Sequence, residues 1–432
     1  MSGGIYGGDD VGALVFDAGS HSFRAGFGGE EYPKFDIPAH VGVRMTVEST
    51  TDETIEAVAT GNKPKRDYFV GTTFLNVPRA HTEIDTYMKD GLIEDWDMFE
   101  KVLDYLYEKC LLAESKYHPV LFTEAPWNTK EKREKLTELM FEKYQSPAFF
   151  VVKNAVLSAF ANGRTGGLVL DSGATHTSAV PVYDGYCLTH AVVKSPIGGD
   201  LVVEQCRRVL EKENIDIVPY YKVASKEEVK EGEPPNWTLK RSLPEVTKSY
   251  DEYMKKQVLE DFAMSTLQLC DTPIDLEFME KLPAVSYGFP CGFRKDFLAE
   301  RAKIPESLFD LKYLDGDGLN NRESLMNVSQ IAATSCGMAD IDIRPTLYSN
   351  LMITGGNSLI MGFTERLNHD LAHKCPPTIK LRVSAAPTPM ERRYGSWIGG
   401  SIVASLGSFQ QLWISKNEYD ETGKIIVEKK CP

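Results

Sequence analysis

Three short turns in this 432-residue sequence are built from residues that seat phosphate. Asp17-Ala18-Gly19-Ser20 follows the apolar run Ala13-Leu14-Val15-Phe16, and Asp171-Ser172-Gly173 follows Gly167-Leu168-Val169-Leu170. Small residues let backbone N–H groups approach phosphate oxygens, while an aspartate at the entry of the turn reaches a metal ion or its waters. A third turn, Gly355-Gly356-Asn357-Ser358, follows Leu351-Met352-Ile353-Thr354 and opens a helix, a place suited to adenosine or phosphate. Singly, each reads more readily as a hairpin loop or a packing device. Two acidic turns, each between buried strands and in matching halves, point instead to a nucleotide site shared by the halves.

The surrounding pattern supplies the elements that hold these turns. After the first turn Arg24-Ala25-Gly26-Phe27 resumes a strand, and after the second Ala179-Val180-Pro181-Val182-Tyr183 does the same before Asp184-Gly185. Asn128, with Glu131 three residues on, predicts a helix start, and Leu136, Leu139, Met140 and Tyr144 recur at helical spacing. A second helix is predicted from about Asn154 to Asn162, stopped by Gly163. A strand-hairpin-helix unit is thus used twice, which predicts an α/β protein of two lobes. Residues 44–66 read as a polar excursion from the first lobe, and residues 220–250, containing Glu231-Gly232-Glu233-Pro234-Pro235, as a surface insertion. The alternative for 220–250 is a disordered linker between independent domains.

The bulk numbers narrow the class. A chain of this length exceeds one hydrophobic core, and 42% hydrophobic with 25% charged residues is an ordinary globular composition. A balance of 48 basic to 62 acidic residues leaves a net charge of −14, the wrong sign for broad nucleic-acid contact. The 8 cysteines form no C-x-x-C pair, which argues against a zinc site or a disulfide framework and suits a reducing compartment. The amino-terminal residues lack a basic then apolar leader, and no apolar run has the length of a membrane span. These features predict an intracellular, soluble protein. Lys63-Pro64-Lys65-Arg66 reads as a solvated loop, with a short nuclear address as the alternative.

Longer motifs carry a specific resemblance. Thr123-Glu-Ala-Pro-Trp-Asn128, Arg133-Glu-Lys, Met140-Phe-Glu142, Ala155-Val-Leu-Ser158, Gly163-Arg-Thr165, Asp171-Ser-Gly173, Trp397-Ile-Gly-Gly-Ser401 and Phe409-Gln-Gln-Leu-Trp-Ile-Ser-Lys416 occur in the order of the actin family. The likeness covers nearly the whole chain. Within the family, Met1-Ser-Gly-Gly-Ile-Tyr-Gly-Gly, Asn236-Trp, Asp340-Ile-Asp-Ile-Arg-Pro345, Glu391-Arg-Arg393 and Lys430-Cys-Pro432 are most similar to the nuclear actin-related proteins of the fourth class. The resemblance implies an actin-like ATPase fold, with two ribonuclease-H-like lobes (four subdomains) around a nucleotide cleft. It divides the chain into a first lobe at 1–160, a second at 161–385 and a carboxyl-terminal segment, 386–432, returning to the first.

Carried over residue by residue, the resemblance assigns nucleotide contacts to Asp17, Gly19, Ser20, Arg24, Asp171, Ser172, Gly173, Gly355, Gly356 and Arg393. Arg24 stands where actin has a phosphate-binding lysine, and Arg393 keeps a cation near the adenine edge. Ala174 replaces a metal-orienting aspartate and Thr175 a glycine. The glutamine that positions water falls at Glu138, and the assisting histidine at Ser178, so in-line hydrolysis loses its orienting groups. The alternative makes Glu138 a base. His176, beside the expected position, reads as structural. The lysine and glutamate holding base and ribose fall near Ala263 and Met264. ATP is therefore expected to bind weakly or without turnover, with magnesium left open and no catalytic or metal-ligating residue assigned.

The segment 44–66 replaces actin's subunit-contact loop with an unrelated sequence, which argues against filament growth. Phe160, Gly163, Ile402, Val403, Leu406 and Ser408 match the groove at the opposite end, unless 402, 403 and 406 are helix core. The family implies that this groove meets actin and an amphipathic helix of a remodelling ATPase. The leading expectation is a nuclear, non-catalytic subunit of chromatin-remodelling or histone-acetyltransferase complexes. The runner-up is an active, filament-forming cytoskeletal relative, and a sugar kinase or chaperone on the same fold would need an acceptor site or an appended domain that the sequence does not offer.

Overall fold

A computed structural model describes residues 12–46, 65–275, 279, 281–316 and 324–432. Two mixed sheets lie in separate lobes. The first has the order Ile414–Ser415, Ala148–Lys153, Val120–Glu124, Leu14–Ala18, Ser22–Phe27, Phe35–Pro38. The second runs Tyr186–Cys187, Thr177–Tyr183, Gly167–Ser172, Leu351–Thr354, Val383–Ala385, with Val193–Ser195 also on Thr177–Tyr183. In each, the strand before an acidic turn sits centrally, parallel to one neighbour and in an antiparallel hairpin with the other. Central strands are covered on both faces, which explains why they read as unbroken apolar runs: Leu14, Val15, Phe16, Leu168 and Leu170 have no exposed surface.

Carboxyl ends of parallel strands gather on one edge of a sheet, and ligands of α/β proteins bind there. Leu14–Ala18, Val120–Glu124 and Ala148–Lys153 run parallel, so Asp17, Thr123 and the residue after Lys153 share one edge. Gly167–Ser172 and Leu351–Thr354 likewise bring Asp171 and Gly355 together. Behind the first edge lies a buried ion network. Glu124 accepts from Lys153 Nζ at 2.5 Å and from Arg133 Nε at 3.0 Å, and Arg133 reaches on to Cys431 O at 2.5 Å, fastening the chain's last turn to the first lobe. Burying these charges costs desolvation that only good geometry and filled lone pairs offset, and Asn128 Nδ2 at 2.9 Å supplies Glu124 with a further donor.

Local readings fare unevenly. The first expected helix spans Lys130–Glu138 and is capped by the Thr129 side chain, not by Asn128, whose amide is already committed to Glu124. Its continuation, Leu139–Lys143, is a π-helical turn. The second helix is Asn154–Ala161. Within 220–250, Val223–Glu227 and Asn236–Leu239 form an exposed antiparallel hairpin, and Gly232 N donates to Arg294 O at 3.2 Å, so the stretch is built onto the second lobe and is not a free linker. Of the excursion at 44–66, Arg44, Met45 and Thr46 pair with Asp67, Arg66 and Lys65 as strand ends; residues 47–64 lie outside the described residues. No helix among the described residues is long and apolar enough to cross a membrane.

Packed elements join the lobes at two places among the described residues. At the cleft mouth, the start of the Lys248–Thr266 helix docks on the Thr82–Thr86 strand: Thr247 Oγ1 donates to Thr82 O at 2.7 Å, and Ile84 N donates to Ser249 Oγ at 2.9 Å. Tyr221, Tyr250 and Met254 close over Ile84 there. At the base, the Pro389–Ser405 helix lies against Asn154–Ala161 and touches both sheets. Trp397 Nε1 donates to Val15 O at 3.0 Å, and Arg392 O accepts from Gly355 N at 3.0 Å. This approach depends on Gly399, where a Cβ would lie 1.9 Å from Leu157 O. Gly399→Ala must therefore push two helices apart, and we expect a loss of more than about 3 kcal/mol in denaturant unfolding. Gly407→Ala, at a position with nothing within 4 Å, serves as the comparison at about 0.5 kcal/mol or less, and equal losses would contradict the packing argument.

Candidate nucleotide cleft

The first turn is held by a row of charges that strand register dictates. Residues directly opposite on adjacent strands share a face, and Asp17 pairs with Arg24, which pairs with Asp36. Arg24 Nη1 donates to Asp17 Oδ2 at 3.0 Å, and its Nε lies 3.7 Å from Asp36 Oδ1. Burial works against the charge on Arg24, but Asp17 and Asp36 outweigh it and hold the guanidinium above its ordinary pKa. The other oxygen of Asp17 accepts from Thr123 Oγ1 at 2.6 Å. Asp36 Oδ2 accepts from Arg393 Nη2 at 3.0 Å and from Tyr394 OH at 2.9 Å. Gly19 N donates to Ser22 O at 3.0 Å and closes the turn.

The second turn is braced by its own lobe. Asn357 Nδ2 donates to Ser172 Oγ at 3.1 Å and to Gly173 O at 2.9 Å, and Ser172 Oγ also meets Thr177 Oγ1 at 2.9 Å. Gly173 O and Ala174 O accept from the amides of Gly199 and Asp200 at 2.9 and 2.8 Å, so loop carbonyls satisfy the first free donors of the Gly199–Lys212 helix. Gly355, at φ +89, presses against this loop: a Cβ there would stand 2.4 Å from Asp171 Oδ1. Gly356 has open space where its Cβ would be. The two turns meet directly where Thr175 Oγ1 donates to Ser20 Oγ at 3.2 Å. Burial, reinforced by the charge of Asp17 and opposed by Arg24, pushes the Asp171 carboxyl up to about 6.

The structure thus brings Asp17, Gly19, Ser20, Arg24, Asp171, Ser172, Gly173 and Gly355 around one cleft. Arg393 borders it but is turned to Asp36. A cavity of 190 Å³ opens between the lobes, lined by His21, Ser22, Asp36, Lys256, Glu260 and Arg393 among others. None of the residues of the three turns lines it, so it marks the cleft mouth beside Asp36 and Arg393. Two close carboxylates with a cationic side chain and glycine-lined backbone fit a phosphate group accompanied by a cation that relieves the Asp17–Asp171 repulsion. No cluster of three metal-ligating side chains exists among the described residues.

Glu138 requires correction. It ends its helix on the surface, 2.7 Å from Lys424 Nζ, and does not reach the cleft. The residue that strand order brings to the cleft edge is Asn154, directly after Ala148–Lys153, with an amide one methylene shorter than glutamine. Ser178 is buried directly opposite Asp171, on the face where a hydroxyl replaces the expected imidazole. His176 sits in the loop itself, its ring 4.8 Å from that of Trp127 across the lobes, and burial beside Lys194 drops it to about 4, consistent with the structural role expected of it. Ala263 packs on the second core, and Met264 is 79% exposed, so neither offers a polar contact to base or ribose.

The expected groove needs one correction as well. Ile402 and Leu406 are exposed at 41% and 48%, but Val403 is buried in the first core and leaves the surface. Ser408 is exposed, Gly163 has open space beside it, and Phe160 is part-buried against Gly185. Tyr183 and Tyr186, exposed on either side of Asp184-Gly185, add aromatic surface next to Phe160. Sequence reading passed over them, as it passed over Asp36, Thr123 and Tyr394. The signals were an aromatic pair flanking a turn and, for Asp36, a polar residue between Phe35 and Ile37 in register with Arg24.

The raised Asp171 pKa carries a sign. The ionised form is penalised in the fold, so its cost is absent below about pH 4 and grows as pH rises through 6, to roughly 2–3 kcal/mol. Asp171→Asn should therefore stabilise the nucleotide-free protein in chelator by about 1–3 kcal/mol at pH 7, with the difference vanishing near pH 4. Urea unfolding across pH measures it, the histidines cancelling between the two proteins. A constant or inverted difference would refute the buried-carboxylate account.

Known proteins place this geometry. The actin family model matches residues 8–432. The chain is 37% identical to Actin-related protein 4 of Arabidopsis thaliana, covering 99% of this chain and 100% of that one. It is 38% identical to Actin-related protein 4 of Oryza sativa subsp. indica, over 99% and 100% of the two chains. With Actin-related protein 4 of Yarrowia lipolytica the identity is 37%, over 99% and 97%. With twin acidic turns on two sheets, a cleft between them and a match along almost its full length, the chain belongs to the actin family.

Proposed function

We propose that this chain is a non-catalytic subunit of nuclear chromatin-remodelling or histone-acetyltransferase complexes, pairing with actin on an amphipathic helix of the remodeller's ATPase. Its relatives carry the name Actin-related protein 4, and the family generally binds nucleotide, so ATP held weakly or without turnover belongs to the same reading. The observation that carries it is the cleft face of the second turn. Ala174 offers a methyl group and Ser178 a buried hydroxyl, so at these positions Asp17 and Asp171 have no neighbour that both orients a water and takes its proton. Ile402, exposed on the last turn of the Pro389–Ser405 helix, and Leu406, exposed at its cap, support the partner role. The division at 160 and 385 is supported by Ile414–Ser415 pairing with the first sheet.

One observation favours the ATP-hydrolysing, filament-forming reading: Asn154 stands at the cleft edge directly after Ala148–Lys153, and its amide could orient a water there. An amide without a base supplies orientation alone, so the non-catalytic reading stands ahead.

Purified protein with ATP and magnesium should release phosphate no faster than a matched blank, and polymerising salt should leave it in the supernatant. Turnover at the rate of actin, or pelleted filaments, would reverse the assignment. For the groove, Ile402→Asp and Leu406→Asp should each weaken capture of actin and a synthetic amphipathic helix by about 10-fold or more, at unchanged melting temperature. Unaltered capture by both variants would exclude this surface.

A further inference from the structure

Asp36 belongs to no motif, yet it is the hub of the charged groups at the cleft mouth. Its Oδ2 takes both the guanidinium of Arg393 at 3.0 Å and the hydroxyl of Tyr394 at 2.9 Å. Its Oδ1 faces Arg24 Nε at 3.7 Å, too far for a hydrogen bond, and both atoms are buried without a hydrogen-bond partner. Ser22 Oγ, on the same cavity wall, is buried and unpartnered too. Two of these unsatisfied atoms belong to residues lining one cavity and the third, Arg24 Nε, lies beside Asp36 on the neighbouring strand, which marks a constellation built to exchange partners.

The two cations that Asp36 engages are those the cleft would direct at an anionic ligand. Of the other basic groups lining the cavity, Lys256 lies 2.8 Å from Asp200, and burial lowers the pKa of His21 and of His40 and so favours their neutral forms. Resting on the nucleotide-binding reading, we infer that Asp36 is a built-in counter-anion, which occupies Arg24 and Arg393 and competes with a nucleoside triphosphate for them. It acts as an affinity-setting residue. A carboxylate fixed within a few ångströms of those cations both cancels their field and repels an incoming polyanion, and partial burial keeps solvent from screening either effect.

Calorimetric titration of ATP with magnesium into the full chain tests this. Asp36→Asn keeps the shape and an acceptor for Tyr394, and should bind about 10-fold more tightly than the unsubstituted protein, since one like charge is removed at close range. Asp36→Glu, which retains the charge, should bring no gain. Adding Arg393→Gln to Asp36→Asn should take back most of the increase, because the released guanidinium is its source. Thermal melting checks folding, and Asp36→Thr supplies a second neutral residue suited to a strand should asparagine disturb it. Measurable binding by the unsubstituted protein, with no gain in either neutral variant, overturns the role of Asp36 and leaves the nucleotide reading standing. Absence of binding in every protein, neutral variants included, overturns that reading and this one with it.

Discussion

The close approach of the Pro389–Ser405 helix to Asn154–Ala161 is the constraint on which the remaining geometry depends. Each sheet closes its own core, and without an element that packs at the base the two bodies would be joined by chain crossings and by the contacts around the cleft. A helix meets that need only if backbone comes within reach of backbone, which Gly399 permits over Leu157. From that contact outward the helix donates Trp397 Nε1 to Val15 and accepts Gly355 N on Arg392 O. The strand that ends in Asp17 and the turn that abuts Asp171 are thereby referred to one rod.

What the rod brings together is electrostatically unresolved. Asp17 is satisfied by Thr123 and Arg24, whereas Asp171 has burial, Gly355 pressed against one oxygen and a like charge nearby. Its high pKa records that imbalance. Asp36 shows the same economy in reverse, with one oxygen doubly bonded and the other facing an arginine it does not bond. Groups left this way in a buried site are held in place by the fold around them, not by one another. Here the surrounding fold is the pair of hairpins, fixed by apolar runs that would be buried whatever the charges did.

This difference explains what the sequence disclosed. The strand-turn-strand units were legible because burial on both faces writes an unbroken apolar run, and the turns because small residues and aspartate have few other reasons to recur there. Asp36 was not legible, since its meaning lies in register with Arg24, and register is set by the partner strand and its turn. Glu138 was misplaced for a related reason. Similar helical patterns carry no mark of which element ends at the cleft, and only the parallel order of Val120–Glu124 and Ala148–Lys153 shows that Asn154 does. Val403 followed from neighbourhood: beside exposed Ile402, a residue one step around a helix turns about 100° toward the core.

The same rod also carries the exposed surface. Arg392, Arg393 and Tyr394 stand at its cleft end, and Ile402 and Leu406 at the other, with regular helix between Gly395 and Ser405. The break lies at Tyr394, whose φ of −113 and ψ of 17 are not helical. Beyond that residue, the segment bearing Ile402 is pinned to the first lobe by Trp397 on Val15 and Gly399 on Leu157, so it moves with that lobe. Before it, the turn bearing Arg393 is tied through Asp36 to the first lobe and through Arg392 O to Gly355 of the second. A change in lobe separation must therefore strain one of those two ties or bend the chain at Tyr394. Bending costs least where helical hydrogen bonding is already interrupted, so the cleft end can adjust to the lobes while the groove end keeps its shape.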